Sequence, residues 1–268
     1  MSRHRQAEAN VPGWRGLAAS AVCAATFASL STCPALAGAW TLKAGTGQMI
    51  ATGLRSTADE AFSGQGGTSA SKAFSKTAGS LLLEHGWTDR LTVVGDVEFA
   101  DEGDASNGYA RSGFSHVAAG ARLRVFEADG FVASAQVMGR LEDQSGDGLT
   151  DIAVEPRLLM GNGLTLAGLP AFVDGQAAYR FRTEGPDEVR LDVTAGIRPW
   201  EDWLFLAQSF STISLGGGHQ AYDYHKAQAS VVYDLNPRWS LQAGAFATYA
   251  GNNALKERGI VSAIWYRY

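Results

Sequence analysis

The chain has 268 residues and a formal net charge of −5, and 46% of its residues are hydrophobic while only 18% are charged. An acidic chain without a basic stripe lacks the charge that binds phosphate backbones, so we expect no nucleic-acid partner. Both cysteines, Cys23 and Cys33, lie near the amino terminus, which leaves the rest of the chain without a disulfide.

The first 37 residues have the pattern of a secretory signal peptide. A basic start is followed by the uncharged run 16–30, and an A-x-A cleavage signal at 35–37 precedes Gly38. The uncharged run is too short and too rich in Ala and Ser to favour a membrane-spanning helix. We therefore predict export by the general secretory route and a mature chain of residues 38–268. That chain keeps 19 basic and 26 acidic residues, a net charge of −7.

The mature chain alternates apolar and polar residues in stretches of about ten, which is the pattern of β-strands. Glycines dilute this alternation in the first stretch. The twelve predicted strands are 39–54, 72–85, 91–100, 113–126, 131–142, 150–160, 171–182, 189–198, 204–214, 225–234, 239–249 and 260–268.

The breaks between the predicted strands alternate in length. Short turns are predicted at 86–90, 127–130, 199–203 and 235–238, and longer polar loops at 55–71, 101–112, 143–149, 215–224 and 250–259. The break 161–170 is long for a turn, and 183–188 is short for a loop. Short turns on one side and long loops on the other are typical of an up-and-down transmembrane β-barrel of the outer membrane, with both termini on the short-turn side.

The two faces of the predicted strands differ in charge. In 189–198, for example, Val189, Leu191 and Val193 alternate with Arg190 and Asp192. A soluble β-sandwich alternates in the same way, with its charges facing water. Strands of ten to twelve residues, together with aromatic residues at their ends, favour a membrane barrel whose apolar face contacts outer-membrane lipid.

The chain ends inside the predicted strand 260–268. An open sheet edge in lipid leaves backbone groups unpaired at several kcal/mol each, so we expect this strand to pair with the first. Its pattern resembles the carboxy-terminal signal of bacterial outer-membrane proteins, a final aromatic residue preceded by hydrophobic residues at every second position. The resemblance implies that the barrel-assembly machinery reads Ile260, Ile264, Tyr266 and Tyr268.

A second resemblance is carried by the turns. Residues 81–91 read LLLEHGWTDRL, and 196–207 and 233–244 look like further copies of the same strand–turn–strand unit. The unit resembles the strand–GLTDR–strand repeat of outer-membrane porins linked to aromatic-compound degradation clusters. The resemblance implies a porin-like outer-membrane barrel and no catalytic residue.

The charged face is the candidate functional site. Its basic residues are almost all arginine, which binds carboxylates in a bidentate way, so we predict a lumen that guides small polar or anionic solutes. The alternative is that these charges pair across a narrow lumen and plug it, leaving a structural or adhesive barrel that acts through its loops. The predicted lumen residues are Arg122, Arg124, Arg140, Glu155, Arg157, Asp174, Arg180, Arg182, Arg190, Asp192 and Arg198.

Catalytic and metal sites are not predicted. Lipid hydrolysis needs a serine next to a histidine base, but Ser115 and His116 are strand neighbours and should point to opposite faces. The acidic segment 143–151 lacks the spacing of a calcium loop, and 216–225 has the composition of a flexible loop. We expect no cofactor and no metal.

Overall fold

The computed structural model describes residues 38–64, 67–105, 109–143, 146, 148–216 and 221–268. The predicted signal peptide lies outside these residues. Among them there is no helix with the length and apolarity that crossing a bilayer requires. The twelve long strands are β1 (Gly47–Phe62), β2 (Thr68–Thr88), β3 (Leu91–Asp104), β4 (Ala110–Ala128), β5 (Phe131–Glu142), β6 (Asp151–Leu166), β7 (Leu169–Arg182), β8 (Glu188–Trp200), β9 (Trp203–Ser214), β10 (Asp223–Asp234), β11 (Trp239–Asn252) and β12 (Arg258–Arg267).

The strands form one closed antiparallel barrel. Each pairs with its neighbours in the chain, and β1 also pairs with β12, from Gln48 opposite Arg267 to Thr57 opposite Arg258. A two-residue strand, Ala254–Leu255, extends the pairing at the far end of β1. The predicted all-β barrel of twelve strands is confirmed, and so is its closure by the last strand.

Short turns lie at one end of the barrel and longer loops at the other, as predicted. Two turns have left-handed residues at both central positions, with φ of 50° and 83° at Asp129 and Gly130, and 50° and 82° at Ala167 and Gly168. These values fit the type I′ turn, whose twist matches that of the flanking strands.

Several predicted boundaries were wrong. The expected long break 161–170 is a two-residue turn, because β6 continues to Leu166. Gly161 belongs to this strand and faces the buried side chain of Trp40. The predicted loops 55–71 and 101–112 are largely strand, since backbone pairing continues beyond the apolar part of the wall. The first strand begins at Gly47 rather than at 39.

The outer surface is apolar across the middle of the wall and aromatic at its ends. Large side chains such as Val137, Leu158 and Met160 are exposed. Aromatic pairs lie near the short turns, such as Trp239 and Tyr266 with ring centres 4.6 Å apart, and near the loops, where the centres of Phe99 and Phe114 are 5.8 Å apart. Further pairs at these two ends include Phe126–Phe131, Tyr179–Phe181 and Trp203–Tyr233. An apolar band between two aromatic girdles is the surface of an outer-membrane β-barrel.

Candidate functional site

The short-turn end of the barrel interior is apolar and holds a piece of chain that is not part of the wall. Residues 38–46, the N-terminal segment, precede β1, and Ala39, Trp40 and Leu42 are buried. Apolar side chains from strands around the barrel surround this segment. The cluster comprises Ala39, Trp40, Ile50, Leu82, Val94, Ala118, Val132, Met138, Leu159, Phe172, Leu204, Leu206, Val232, Ala263 and Trp265.

Polar side chains of the wall bind the backbone of the N-terminal segment. The Ala39 N–H donates to Asp174 Oδ2 at 2.8 Å, and Ser134 Oγ donates to the Ala39 carbonyl at 2.5 Å. Arg122 Nη1 donates to the carbonyl of Trp40 at 3.1 Å. The predicted lumen residues Arg122 and Asp174 therefore hold the segment inside the barrel.

Two further contacts fix the second half of the segment. The Leu42 N–H donates to Thr92 Oγ1 at 2.9 Å, and the Ala44 N–H donates to Asp89 Oδ1 at 3.0 Å. Asp89 belongs to the turn between β2 and β3. Residues 39–44 of the segment are thus bound by side chains, whereas Gly45 and Thr46 already pair with Gly86 through their backbones, as the strands of the wall do.

Trp40 is buried in the apolar cluster of this end. Its ring meets Phe172 edge to face, with ring centres 6.5 Å apart. A Cβ added at Gly161 would lie only 2.4 Å from the Trp40 ring, so the glycine makes room for the indole. This contact explains why β6 has a glycine at position 161, where the sequence predicted a break.

The loop end of the interior is filled instead by a network of buried charges. Arg180 Nε donates to Glu155 Oε2 at 2.7 Å, and its Nη1 donates to Glu142 Oε1 at 3.0 Å. Arg157 bridges Glu155 at 2.8 Å and Asp192 at 2.6 Å. All five side chains are buried, so each charge is compensated by side chains of the wall.

The network extends towards the loops. Arg140 Nε donates to Glu142 at 2.9 Å, and Arg182 Nη1 donates to Glu188 at 2.8 Å. The Tyr222 hydroxyl, in the connection before β10, also donates to Glu188. Glu188 and Tyr222 are not among the predicted site residues. The alternation of Glu188 with Arg190 and Asp192 could have identified Glu188.

Arg190 is buried at 1% exposure, and its nearest charged partner is Glu155, at 3.9 Å.

Arg124 and Arg198 lie apart from the network at the short-turn rim. Arg124 pairs with Glu127 at 2.7 Å, and Arg198 pairs with Asp234 at 2.8 Å.

A separate ion pair closes the loop end near the barrel seam. Glu257, in the connection before β12, accepts from Lys226 Nζ at 2.5 Å and from the Ser56 hydroxyl. Burial alone would raise the pKa of Glu257, but Lys226 and Ser56 hold this pKa below its usual value. The carboxylate therefore stays ionised where β1, β10 and β12 approach one another.

The expectation that Ser115 and His116 face opposite sides was wrong. A β-bulge opposite Glu98 and Phe99 gives β4 an extra residue, and both side chains are buried inside the barrel. His116 Nε2 lies 2.7 Å from Asp96 Oδ2, while Ser115 Oγ accepts from Arg111 Nη2 at 3.1 Å.

Across the described ranges, no group of three or more His, Cys, Asp or Glu residues could hold a metal ion.

The residues of the carboxy-terminal pattern lie on the outside of the wall. Ile260, Ile264 and Tyr268 are exposed, and Tyr266 packs against Trp239. Tyr268 also stacks on His85 of β2, with ring centres 6.0 Å apart. The end of the chain therefore contributes to the aromatic girdle at the short-turn end.

Comparisons with known proteins agree with this architecture. No family model matches the chain, and no curated protein is similar to it in sequence. The COG4313 outer membrane channel from Pseudomonas putida F1 is similar in structure, with a TM-score of 0.68 and 15% identity over 86% of this chain and 98% of that one. The fold is that of an outer-membrane β-barrel.

Two porins are similar at lower scores. The NanC porin has a TM-score of 0.55 and 8% identity, and the KdgM porin in complex with disordered oligogalacturonate has 0.52 and 9%. Each match covers 81% of this chain and 98% of the porin. At these identities the similarity concerns the fold.

Proposed function

We propose that the protein is an outer-membrane channel for small polar or anionic solutes, and that the described conformation is its closed state. The observation that carries the proposal is that the obstruction at the short-turn end does not belong to the wall. The N-terminal segment is joined to β1 and held mainly by side chains, so it can leave the interior while all strand ladders stay paired.

In this proposal the charged interior forms the solute path once the segment has moved. Arginines carry fixed positive charges and planar donor forks, and facing carboxylates prevent any one anion from binding too tightly to leave. The residues assigned to the path are Arg122, Arg124, Arg140, Glu155, Arg157, Asp174, Arg180, Arg182, Arg190, Asp192 and Arg198. The proposal assigns no catalytic residue and no cofactor.

Three structurally similar proteins support the proposal. One is described as an outer membrane channel and two as porins, one of these in complex with oligogalacturonate. A solute of that kind is compatible with an interior rich in arginine. The resemblance to porins linked to aromatic-compound degradation names a second solute class and remains a prediction.

The proposal includes export and assembly. The signal peptide directs the chain across the inner membrane, and the barrel-assembly machinery then recognises Ile260, Ile264, Tyr266 and Tyr268. Their position on the outer face of the last strand supports this role, because β12 is the strand that closes the barrel.

A structural or adhesive barrel is the second candidate. It is favoured by the pairing of buried charges such as Arg180 with Glu142 and Glu155, which fill the interior at the loop end. In that case the lumen stays closed and the loops carry the function.

Single-channel conductance in a planar bilayer distinguishes the two candidates. We would compare the refolded mature chain with a variant lacking residues 38–43, after heat-modifiable gel migration has shown that both are folded. We expect discrete openings in the mature chain and a several-fold larger conductance in the deletion variant. Electrical silence in both folded proteins would overturn the channel and favour the second candidate.

A further inference from the structure

Arg190 differs from the other arginines of the charged network because its guanidinium makes no hydrogen bond. Within the residues that the structure describes, Nε, Nη1 and Nη2 all lack an acceptor, and the side chain is 1% exposed. A guanidinium carries five N–H donors and cannot be deprotonated in a protein. Burying it without acceptors is unfavourable, so this side chain is prepared for an acceptor that the wall does not supply.

The carboxylates nearest to Arg190 are already used by other arginines. Glu155 accepts from Arg180 at 2.7 Å and from Arg157 at 2.8 Å, and Asp192 Oδ2 accepts from Arg157 at 2.6 Å. The second oxygen of this aspartate, Oδ1, has no donor among the described residues. An unused donor fork and an unused acceptor therefore occur on the same strand.

Arg190 and Asp192 are two residues apart on β8 and face the same side of the wall, so their Cα atoms are roughly 7 Å apart. Thr212 of β9 is paired directly with Arg190 and is also buried. On the other side, the partner in β7 is Ala178, whose small side chain offers the guanidinium no acceptor.

We propose that Arg190 and Asp192 form a binding subsite for a small 2-hydroxycarboxylate. The guanidinium of Arg190 donates two parallel hydrogen bonds to the carboxylate of the solute, which is the geometry that arginine favours. Asp192 Oδ1 accepts a hydrogen bond from the hydroxyl of the solute. Because Arg157 pairs with the other oxygen of Asp192, the negative charge of this aspartate does not repel the solute carboxylate unopposed.

The lack of hydrogen bonds also explains how a solute reaches a buried guanidinium. When Arg190 turns towards the solute it breaks no hydrogen bond, and it lengthens a single ion pair that is already 3.9 Å long. Arg180 and Arg157, by contrast, each lose at least two hydrogen bonds if they move. Arg190 is therefore the arginine of the network that a solute can recruit at the lowest cost.

This subsite rests on the proposed function only in requiring that solutes enter the interior, so binding and conduction are measured separately. Calorimetric titration of the refolded mature chain would use lactate, propionate and propane-1,2-diol. Lactate has both recognition groups, propionate lacks the hydroxyl, and the diol lacks the carboxylate. We expect lactate to bind about three-fold more tightly than propionate, and the diol to give no measurable heat.

Two variants of the subsite test the assignment. Arg190→Met should weaken lactate binding about ten-fold or more, and Asp192→Asn should abolish the preference for lactate over propionate. Arg258→Met is the control, since this exposed arginine of β12 pairs with Asp59 and is not assigned to the solute path. Arg190→Lys keeps the charge and serves if the methionine variant does not fold.

The outcomes distinguish failure of the subsite from failure of the channel. Equal lactate affinity in the mature chain and the Arg190 variants, or equal binding of lactate and the diol, would overturn the subsite even if the barrel conducts. Arg190-dependent lactate binding by an electrically silent barrel would support the subsite and overturn the channel.

Discussion

The short-turn end of the barrel interior is filled by a chain segment that reaches the wall through β1, whereas the loop end is filled by arginine and glutamate side chains that belong to the wall itself. The first filling is apolar around Trp40 and is bound by side-chain hydrogen bonds. The second is held by ion pairs buried away from water.

The two fillings differ in what is lost when one of them is disturbed. Undocking the N-terminal segment exposes apolar surface and breaks a few hydrogen bonds but leaves every strand paired. Removing one arginine from the network leaves carboxylates buried with too little positive charge, for which no conformational change of the wall compensates. Mutations at the short-turn end should therefore affect gating, and mutations at the loop end should affect stability.

Arg180→Ala should have the largest effect on stability. Arg180 contacts Glu142 and Glu155, so its loss removes positive charge from both at once. We expect the free energy of unfolding in urea to fall by about 3 kcal/mol or more. The control is Arg258→Ala, which removes an exposed partner of Asp59 and should change stability by less than about 0.5 kcal/mol. Equal effects of the two variants would contradict a stabilising role of the network.

Trp40→Ala should weaken the docking of the N-terminal segment by about 3 kcal/mol, because the indole is buried against Phe172. The wall keeps its ladders, so the barrel should remain heat-modifiable. Labelling by a water-soluble maleimide checks this, with an introduced cysteine at Ala39 in a mature chain that otherwise has none. Labelling should be rapid in the Trp40→Ala variant and slow in the chain that keeps Trp40. A slow rate in both would show that the segment stays docked without Trp40.

A matched pair of glycine substitutions tests the same contact from the wall. Gly161→Ala places a Cβ 2.4 Å from the Trp40 ring, whereas a Cβ at Gly175, on the neighbouring strand, meets no atom within 4 Å. Overpacking of this kind costs about 2 kcal/mol, so Gly161→Ala should accelerate cysteine labelling and Gly175→Ala should leave it unchanged. Acceleration in both variants would indicate a general loosening of the barrel.

The same difference between the two ends explains how far the sequence could predict the fold. Period-two alternation, turn chemistry and the strand at the carboxy terminus were sufficient for twelve strands and a closed barrel. The N-terminal segment was mistaken for strand because Trp40 and Leu42 alternate with polar neighbours, as strand residues do. An extended segment inside a barrel and a strand in its wall have the same local pattern, and only the pairing partners distinguish them.

For the candidate site, alternation separates the charged face from the apolar face but does not predict which charges meet. Arg157 reaches Asp192 two strands away, a contact that depends on the register of β6, β7 and β8 together. The bulge that brings Ser115 and His116 to the same side has no signature in the alternation, since a single inserted residue is sufficient.

Asp174→Asn should have the smallest effect, because it keeps an oxygen for the Ala39 N–H and removes the charge and the second oxygen, which accepts from Gln176 Nε2. Hydrogen bonds to ionised acceptors are about twice as strong as neutral ones, so docking should weaken by about 1 kcal/mol and labelling at Ala39 should rise about five-fold. Thr92→Ser is the control, because it keeps the hydroxyl that accepts from the Leu42 N–H. If Asp174→Asn labels no faster than this control, apolar packing around Trp40 alone positions the segment. Charge would then matter at the loop end only.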